Sequence, residues 1–461
     1  MEDYKSTFEK LQELYKERRF TDLRMALLDM EAADIAAFVE ENLDEKEQIV
    51  FFRLLPKELA SDVFVEFGSD TQESLIKAFT DKELKAVIDD MFLDDTVDII
   101  DEMPANVVKR ILLATDPEER KTINELLEYP DDSAGSLMTP EFVSLSADMT
   151  VDAAFDKIRR TGVNKETIYT CYVTDPRKRL IGVVTVKDLL LAAKDEVIGD
   201  IMTTNFISIE TLEDKEEVAL KFQKYSYLAL PVIDKEGCIV GIITVDDAVD
   251  VLQEEATEDI QIMAAITPDA KPYLKTSPFK IWLNRAPWLL ILMVSATFTG
   301  LILNTYEGDL SALGGGLGTL LIACVPMMMD SGGNAGSQAS VTVTRGIALG
   351  ELKFKDIFKV MWKELRVGLM LGVTLGLVCF AKLQLVDRLL LGYNYTELIS
   401  FVISLSLTIT VVISKIVGCS LPLLAKKCRL DPAVMASPFI TTIVDALSLM
   451  IYCNIALALL G

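Results

Sequence analysis

One carboxylate stands where carboxylates are costly. Asp445 lies in the stretch PFITTIVDALSLM and is the only formal charge between Pro432 and residue 461. An ionised side chain inside an apolar helix of membrane-spanning length is normally turned toward water or a partner. Thr441 and Thr442 precede it by about one turn, and Pro438 removes a helix N–H and so frees a backbone carbonyl. Carboxylate, hydroxyl, carbonyl and water oxygens together form the ligand set of a hard divalent cation. Magnesium sheds its waters reluctantly and needs only one or two carboxylates. The plainer alternative is an Asp neutralised by hydrogen bonds within a helix bundle. No second carboxylate is expected mid-span elsewhere.

Other chemistries lack their residues. The sequence has no histidine, and its seven cysteines (171, 238, 324, 379, 419, 428 and 453) form no CxxC pair. Zinc and copper sites therefore lose most of their ligands. Four of the cysteines fall in apolar runs, where a buried thiol is an ordinary packing group. Without histidine, nucleophile elbow or P-loop, no enzyme is expected.

The elements that must position Asp445 are apolar spans. Stretches long enough to cross a bilayer are expected near 286–305, 312–329, 365–386, 398–421 and 434–460. The net charge of −25 is unevenly placed: residues from Ser277 onward carry 14 basic and 10 acidic side chains, those before it 31 and 60. An acidic soluble part joined to an apolar membrane part is the expected organisation. So acidic a part repels nucleic acid and collects cations. Lys271, Lys275, Lys280 and Arg285 precede the first span. Arg345, Lys353, Lys355, Lys359 and Lys363 lie between the second and third, and Lys426, Lys427 and Arg429 between the fourth and fifth. Positive-inside counting places the acidic part in the cytosol and the carboxyl terminus outside the cell. The opening MEDYKSTFEKLQELYKERRF has no apolar core, so no signal peptide is expected.

Between the second and third spans runs MMMDSGGNAGSQAS (327–340), whose glycines at 332, 333 and 336 are expected to break the helix and allow close backbone approach. Asp330-Ser-Gly-Gly-Asn-Ala-Gly-Ser-Gln338, Asp431-Pro-Ala and Ser437-Pro438 with Thr441, Thr442 and Asp445 resemble the signature of the magnesium transporter E family. The resemblance implies a homodimer in the cell membrane, inner or plasma, with a pore between subunits. It further implies Asp445 as the carboxylate of the main ion site and Asn334 on the ion path.

The resemblance extends through the acidic part. Residues 43 to 123 repeat every 12, with breaks at 43–44, 55–56, 67–68, 79–80, 91–92, 103–104 and 115–116. Eight residues after each first position sit Phe51, Val63, Leu75, Val87, Ile99, Ile111 and Ile123. Helices of two turns are unstable alone, and stacking them gives a superhelix with one apolar face. Asp94 and Asp95, within the run Asp89, Asp90, Asp94, Asp95 and Asp98, are candidate metal ligands on that surface. After it, Leu137-Met138-Thr139 recurs as Ile201-Met202-Thr203, and LIGVVTVKDLL (180–190) as IVGIITVDDAV (239–249). The β-branched runs ended by Asp, Pro and Gly are strands, and the pair resembles a tandem CBS module. That fold places adenine nucleotides in its clefts. Thr185 with Asp188, and Thr244 with Asp247, match its ribose-holding hydroxyl and acid, so ATP or another adenine nucleotide is a candidate ligand.

Residues 245–266 are expected to form a helix leading to the first span. Asp247, Asp250, Glu254 and Glu258 share one face, with Glu255 and Asp259 beside them. Like charges so spaced oppose the helix by roughly 0.2–0.5 kcal/mol per pair, and a divalent cation would remove that repulsion. The resemblance implies that this helix plugs the pore when cytosolic magnesium is high. It implies Asp214, Glu216, Asp247, Glu255, Glu258 and Asp259 as sensing ligands. Ser226 follows Tyr225 where the family often has an acid, which weakens one interface site.

The expected fold is thus multi-domain: an α-helical superhelix (1–130), a tandem α/β CBS pair (131–252), a connecting helix (253–278) and an all-α transmembrane domain of five spans (279–461). The expected function is magnesium transport gated by Mg2+ bound between acidic cytosolic domains. The rivals are a manganese or cobalt transporter and a membrane-tethered nucleotide sensor that transports nothing.

Overall fold

The computed structural model describes residues 2–269, 273–274, 276–314, 316–435 and 437–460. Lys271 and Lys275, two of the basic residues used to orient the chain, lie outside them. The chain divides into two compact units, Met1–Leu252 and Gln253–Gly461.

The first unit opens with helices α1 (Glu2–Lys16), α2 (Phe20–Leu27) and α3 (Ala32–Asn42). Seven short helices follow: α4 (Glu45–Phe52), α5 (Lys57–Val65), α6 (Ser69–Ala78), α7 (Asp81–Ile88), α8 (Leu93–Glu102), α9 (Ala105–Ala114) and α10 (Pro117–Leu126). They begin every 12 residues, as the repeat predicts. The recurring apolar positions Phe51, Val63, Leu75, Val87, Ile99, Ile111 and Ile123 are all buried in one continuous core. Reciprocal capping boxes, Asp44 with Glu47 and Thr80 with Glu83, start α4 and α7. Basic side chains then tie the ends of α6 and α9 to helices about 30 residues away. Arg53 donates to Ala78 O, Lys85 to Ala114 O, and Arg110 to the carbonyls of Ile76 and Phe79. These bonds satisfy carbonyls that short helices leave without partners.

After α11 (Ala134–Leu137) come two three-stranded sheets. In the first, β1 (Ser144–Ser146) pairs parallel to β2 (Thr170–Thr174), which pairs antiparallel to β3 (Leu180–Thr185). In the second, β4 (Ile209–Glu210), β5 (Ala229–Ile233) and β6 (Ile239–Thr244) repeat that order. Helix α12 (Val151–Thr161) and the pair α13 (Val186–Leu191) and α14 (Ile198–Ile201) flank the first sheet in sequence; α15 (Lys215–Tyr225) belongs to the second copy. The repeated Met-Thr motif exchanges between copies. Thr139 bonds both ways with Ile242 of β6, and Thr203 both ways with Val183 of β3. Gly182 and Gly241 lie against Met202 and Met138, where a Cβ would stand within 3.0 Å of the methionine side chain. The two repeated motifs are therefore the two halves of one exchange.

Helix α16 (Val245–Met263) follows β6 without a break. The second unit holds five long helices: α17 (Pro278–Ala312), α18 (Leu317–Ala348), α19 (Ile357–Lys382), α20 (Glu397–Lys427) and α21 (Ser437–Leu460). Among the described residues, the runs Pro278–Ala312, Phe354–Arg388, Glu397–Lys427 and Pro432–Leu460 are long and apolar enough to cross a membrane. Helix α18 is the exception in apolarity, and its surroundings explain it. One face, including Met328, Gly332, Ala335, Gly336, Ala339 and Val343, is buried against α20 and α21, so it need not dissolve in lipid.

The glycine run corrects an expectation. Gly332, Gly333 and Gly336 do not break the helix; α18 passes through them without interruption. Their function is close approach. A Cβ at Gly332 would meet the Ser448 hydroxyl, and one at Gly336 would press on Ile440 and Val444 of α21. On α19, Gly368, Gly372 and Gly376 recur every fourth residue and admit the backbone of α20, where the Thr408 hydroxyl donates to Gly372 O at 2.9 Å. Small residues at this spacing are how helices associate where the hydrophobic effect does not drive them together. Gly418 of α20 faces the carbonyl of Gly336 at a separation no Cβ tolerates. Gly418→Ala is therefore expected to cost about 1–3 kcal/mol, read as a lower thermal midpoint in detergent. Gly300→Ala, where a Cβ meets nothing within 4 Å, should leave the midpoint unchanged.

Candidate metal sites and ion path

In the second unit Asp445 and Thr441 face Gly333 of α18; a Cβ there would lie 3.3 Å from Thr441 and 3.5 Å from Asp445. The partner in charge is Asp330, which is an electrostatic neighbour of Asp445. This is a second correction: Asp330 is inside α18, a carboxylate well within a long helix, where none besides Asp445 was expected. The sequence reading ended the second span at 329 and so left Asp330 out by one residue.

Asp330, Asn334 and Gln338 form an exposed stripe along α18, at spacings of four. Asn334 Nδ2 donates to Asp330 Oδ1 at 3.1 Å. An ionised carboxylate only accepts, so this bond turns the Asn334 carbonyl oxygen away from Asp330 and leaves it available to a cation. Thr441 and Thr442 divide. Both hydroxyls donate to Pro438 O, at 2.9 and 3.1 Å. Thr441 stays on the α18 side, whereas Thr442 lines a groove with Leu292 and Phe298 of α17. The sequence reading grouped them with Asp445; the helix turn separates them.

The first unit gathers carboxylates from three segments. Asp94 and Asp95 open α8, Glu141 and Glu166 come from the first CBS copy, and Asp247 from the start of α16. Asp94 neighbours Glu141, and Asp95 neighbours Asp94, Glu166 and Asp247. The Leu93 N–H donates to Glu141 Oε2 at 3.1 Å, which ties the solenoid to the CBS copy. Asp94 Oδ1 is buried with no hydrogen-bond partner among the described residues. Burial, then the neighbouring charges, pushes these groups up: Asp94 and Asp247 to about 6, Glu166 to about 7 and Asp95 to about 8. Burial first, then Asp94 and Asp247, likewise pushes Asp98 up to about 7. Sequence reasoning missed Glu141 and Glu166 altogether.

The remaining predicted ligands are spread out. Asp250 of α16 lies beside Glu66 of the solenoid; burial, then Asp250, raises Glu66. Asp214 caps α15, accepting from Glu216 N–H at 2.9 Å. Glu254 and Glu258 are exposed on α16, and Glu255 and Asp259 are half-buried. Burial, then Asp431 and Glu258, pushes Asp259 to about 6; Asp431 itself accepts from Ala433 N–H just before α21. The acids of α16 thus have different neighbours: Asp247 has Asp94, Asp250 has Glu66, and Asp259 has Asp431. The ribose-type pairs are engaged as helix starts: the Thr185 hydroxyl donates to Asp188 at 2.5 Å, and the Thr244 hydroxyl to Asp247 at 2.7 Å. Among the described residues no three acidic side chains converge into a cage for a bare ion.

Residues 325–455 match the family profile described as divalent cation transporter, 30–132 the MgtE intracellular N domain, and 134–195 and 198–254 the CBS domain. Over 454 residues the chain is 34% identical to the magnesium transporter MgtE of Thermus thermophilus, covering 98% of each. The chain belongs to the MgtE family of magnesium transporters. The MgtE of Bacillus subtilis is 30% identical over 96% of this chain and 95% of its own. Among solved structures, the soluble part of a magnesium transporter matches with TM-score 0.51 at 30% identity, over 55% of this chain and 99% of that one. The cytosolic domain of the Mg2+ channel MgtE in complex with ATP matches with TM-score 0.50 at 34% identity, over 53% and 99%. The three matched parts follow one another along the chain, and the family is one of transporters rather than enzymes.

The raised carboxylates have a consequence for pH. Their folded-state values lie above the ordinary value near 3.8, so the folded arrangement favours the protonated form. That stabilisation is complete below about pH 4 and is lost as pH rises through 6 to 8. Without divalent ions, amide protection factors (exchange relative to the intrinsic rate at each pH) in α8 and at the start of α16 of the full protein should therefore fall from pH 5 to pH 8. Saturating Mg2+ is expected to flatten this dependence, and an unchanged slope would show that no ion replaces the protons.

Proposed function

We propose that the protein is a homodimeric Mg2+ channel of the cell membrane in which Asp445 holds a hydrated ion in transit. The observation that carries this reading is the carboxylate of α21 facing the glycine gap of α18, beside the exposed Asp330–Asn334–Gln338 stripe. A polar stripe on a membrane helix needs water or a second copy against it, and two copies placed stripe to stripe would enclose a watery path. The ligands are oxygens throughout, which suits magnesium and leaves manganese and cobalt as competing cargo.

Gating is assigned to the acidic groups of the first unit and of α16. With Mg2+ scarce, Asp94, Asp95, Glu141, Glu166 and Asp247 repel one another; with Mg2+ present, ions screen them and hold the solenoid against the CBS pair. Asp250 with Glu66, Asp259 with Asp431, and Glu254, Glu255 and Glu258 of α16 provide further weak sites, as do Asp214 and Glu216. Moving the population from mostly open to mostly shut takes about 5.5 kcal/mol, which several weak sites share. The acidic unit is cytosolic and the carboxyl terminus extracytoplasmic, on the basic residues flanking the helices. An adenine nucleotide is the proposed ligand of the CBS pair, supported by the similarity to the ATP-bound cytosolic domain.

The test is Mg2+ flux into liposomes. Asp445→Asn removes the charge and keeps the shape, and flux is expected to fall by at least tenfold; undiminished flux rejects the ion-site reading. Asp94→Asn with Asp95→Asn should instead leave the pore open and shift closure to higher Mg2+, measured as flux against internal Mg2+.

A further inference from the structure

Lys415 of α20 is a cation within an apolar helix, only 4% exposed. Its nearest opposite charge is Glu364 of α19, at 4.0 Å. The ammonium donates to Gln338 Oε1 of α18 at 3.3 Å, so the three side chains tie three helices together. Gly368 of α19 makes room for the lysine stem, since a Cβ there would lie 3.3 Å from Lys415 Cβ.

The chemistry of the donor fixes the amide. A lysine ammonium has donors and no acceptor, so the end of Gln338 that meets it is the carbonyl, and the N–H2 is the end left to face outward. Asn334, four residues away, is turned the opposite way, because Asp330 only accepts. One stripe therefore carries two amides set by neighbouring charges in opposite senses, Asn334 with its oxygen outward and Gln338 with its nitrogen outward. The waters around a magnesium ion point their hydrogens away from the metal and seek acceptors. Asp330 and Asn334 turn acceptors outward, whereas Gln338 turns its donor outward. A path that conducts needs sites that bind and sites that let go.

We infer that Lys415 is a positioning residue that holds the Gln338 amide nitrogen toward the ion path and so makes that position one of release. The inference rests on the reading of the stripe as the path. Freed from Lys415, the amide can rotate and present an oxygen about 12 Å along the helix from Asp330, adding a ligand where none stood.

The experiment measures Mg2+ flux against concentration in proteoliposomes of the full chain. Lys415→Met is expected to lower both the half-saturating Mg2+ and the maximal flux by roughly three- to tenfold, the equivalent of one hydrogen bond. Adding Gln338→Ala to Lys415→Met removes the amide and should return both toward the original values, which a merely structural role of Lys415 would not allow. Gln338→Glu, with Lys415 intact, presents an acceptor outward without disturbing the lysine and should also lower half-saturation. Unchanged half-saturation in both Lys415→Met and Gln338→Glu overturns the inference, as does a double variant no different from Lys415→Met. Full flux in Asp445→Asn would instead reject the underlying ion-path reading, so the two failures are distinguishable.

Discussion

Carboxylates crowded where water is scarce, with few cations of the protein's own to offset them, set the terms for both units. Like charges repel more strongly as the surroundings lose polarity. In the first unit the cost is visible in the upward shifts of Asp94, Asp95, Glu166 and Asp247. In the second, Asp330 and Asp445 stand as neighbours on facing helices. A protein free to optimise stability would place a lysine or arginine among these groups. Lys415, the buried cation of α20, instead meets Glu364 and Gln338. Carboxylates crowded in this way are groups whose repulsion an external divalent cation can offset.

Among the described residues no three acids form a closed cage. A metal that gives up its waters readily can be gripped by bare carboxylates. Magnesium keeps several waters and is held through them, so acids that are near one another without converging suit it. The same looseness serves a pore, where an ion held too firmly would block its successors.

Much of this architecture was legible from spacing. The 12-residue repeat places the starts of α4 to α10, because a two-turn helix and a tight turn leave little freedom in length, and its apolar eighth positions are the buried ones. The paired Met-Thr motifs announce a duplicated module, though not that each copy completes the other's sheet through Thr139 and Thr203. The misreadings of the glycine run and of Asp330 share a cause. Glycine weakens a helix in water, so Gly332, Gly333 and Gly336 looked like a break; among packed membrane helices glycine is what lets backbones approach, and α18 continues. Ending the helix early hid Asp330. Glu141 and Glu166 were invisible for a different reason: each is an unremarkable acid in its own segment, and only the docking of the solenoid on the CBS copy gives them company.

The two amides on α18 show how far local chemistry can carry function once the packing is known. Asn334 and Gln338 are four residues apart on one face and differ by a single methylene, so their own side-chain chemistry does not distinguish them. Their neighbours do. Asp330 can only accept and Lys415 can only donate, and these constraints point one amide oxygen out and the other in. If the stripe lines the ion path, it thereby acquires a direction, binding at one end and releasing two turns on, without any change in backbone geometry. Direction of this kind comes from charges placed behind the path rather than in it, and a family signature read along α18 alone does not contain it.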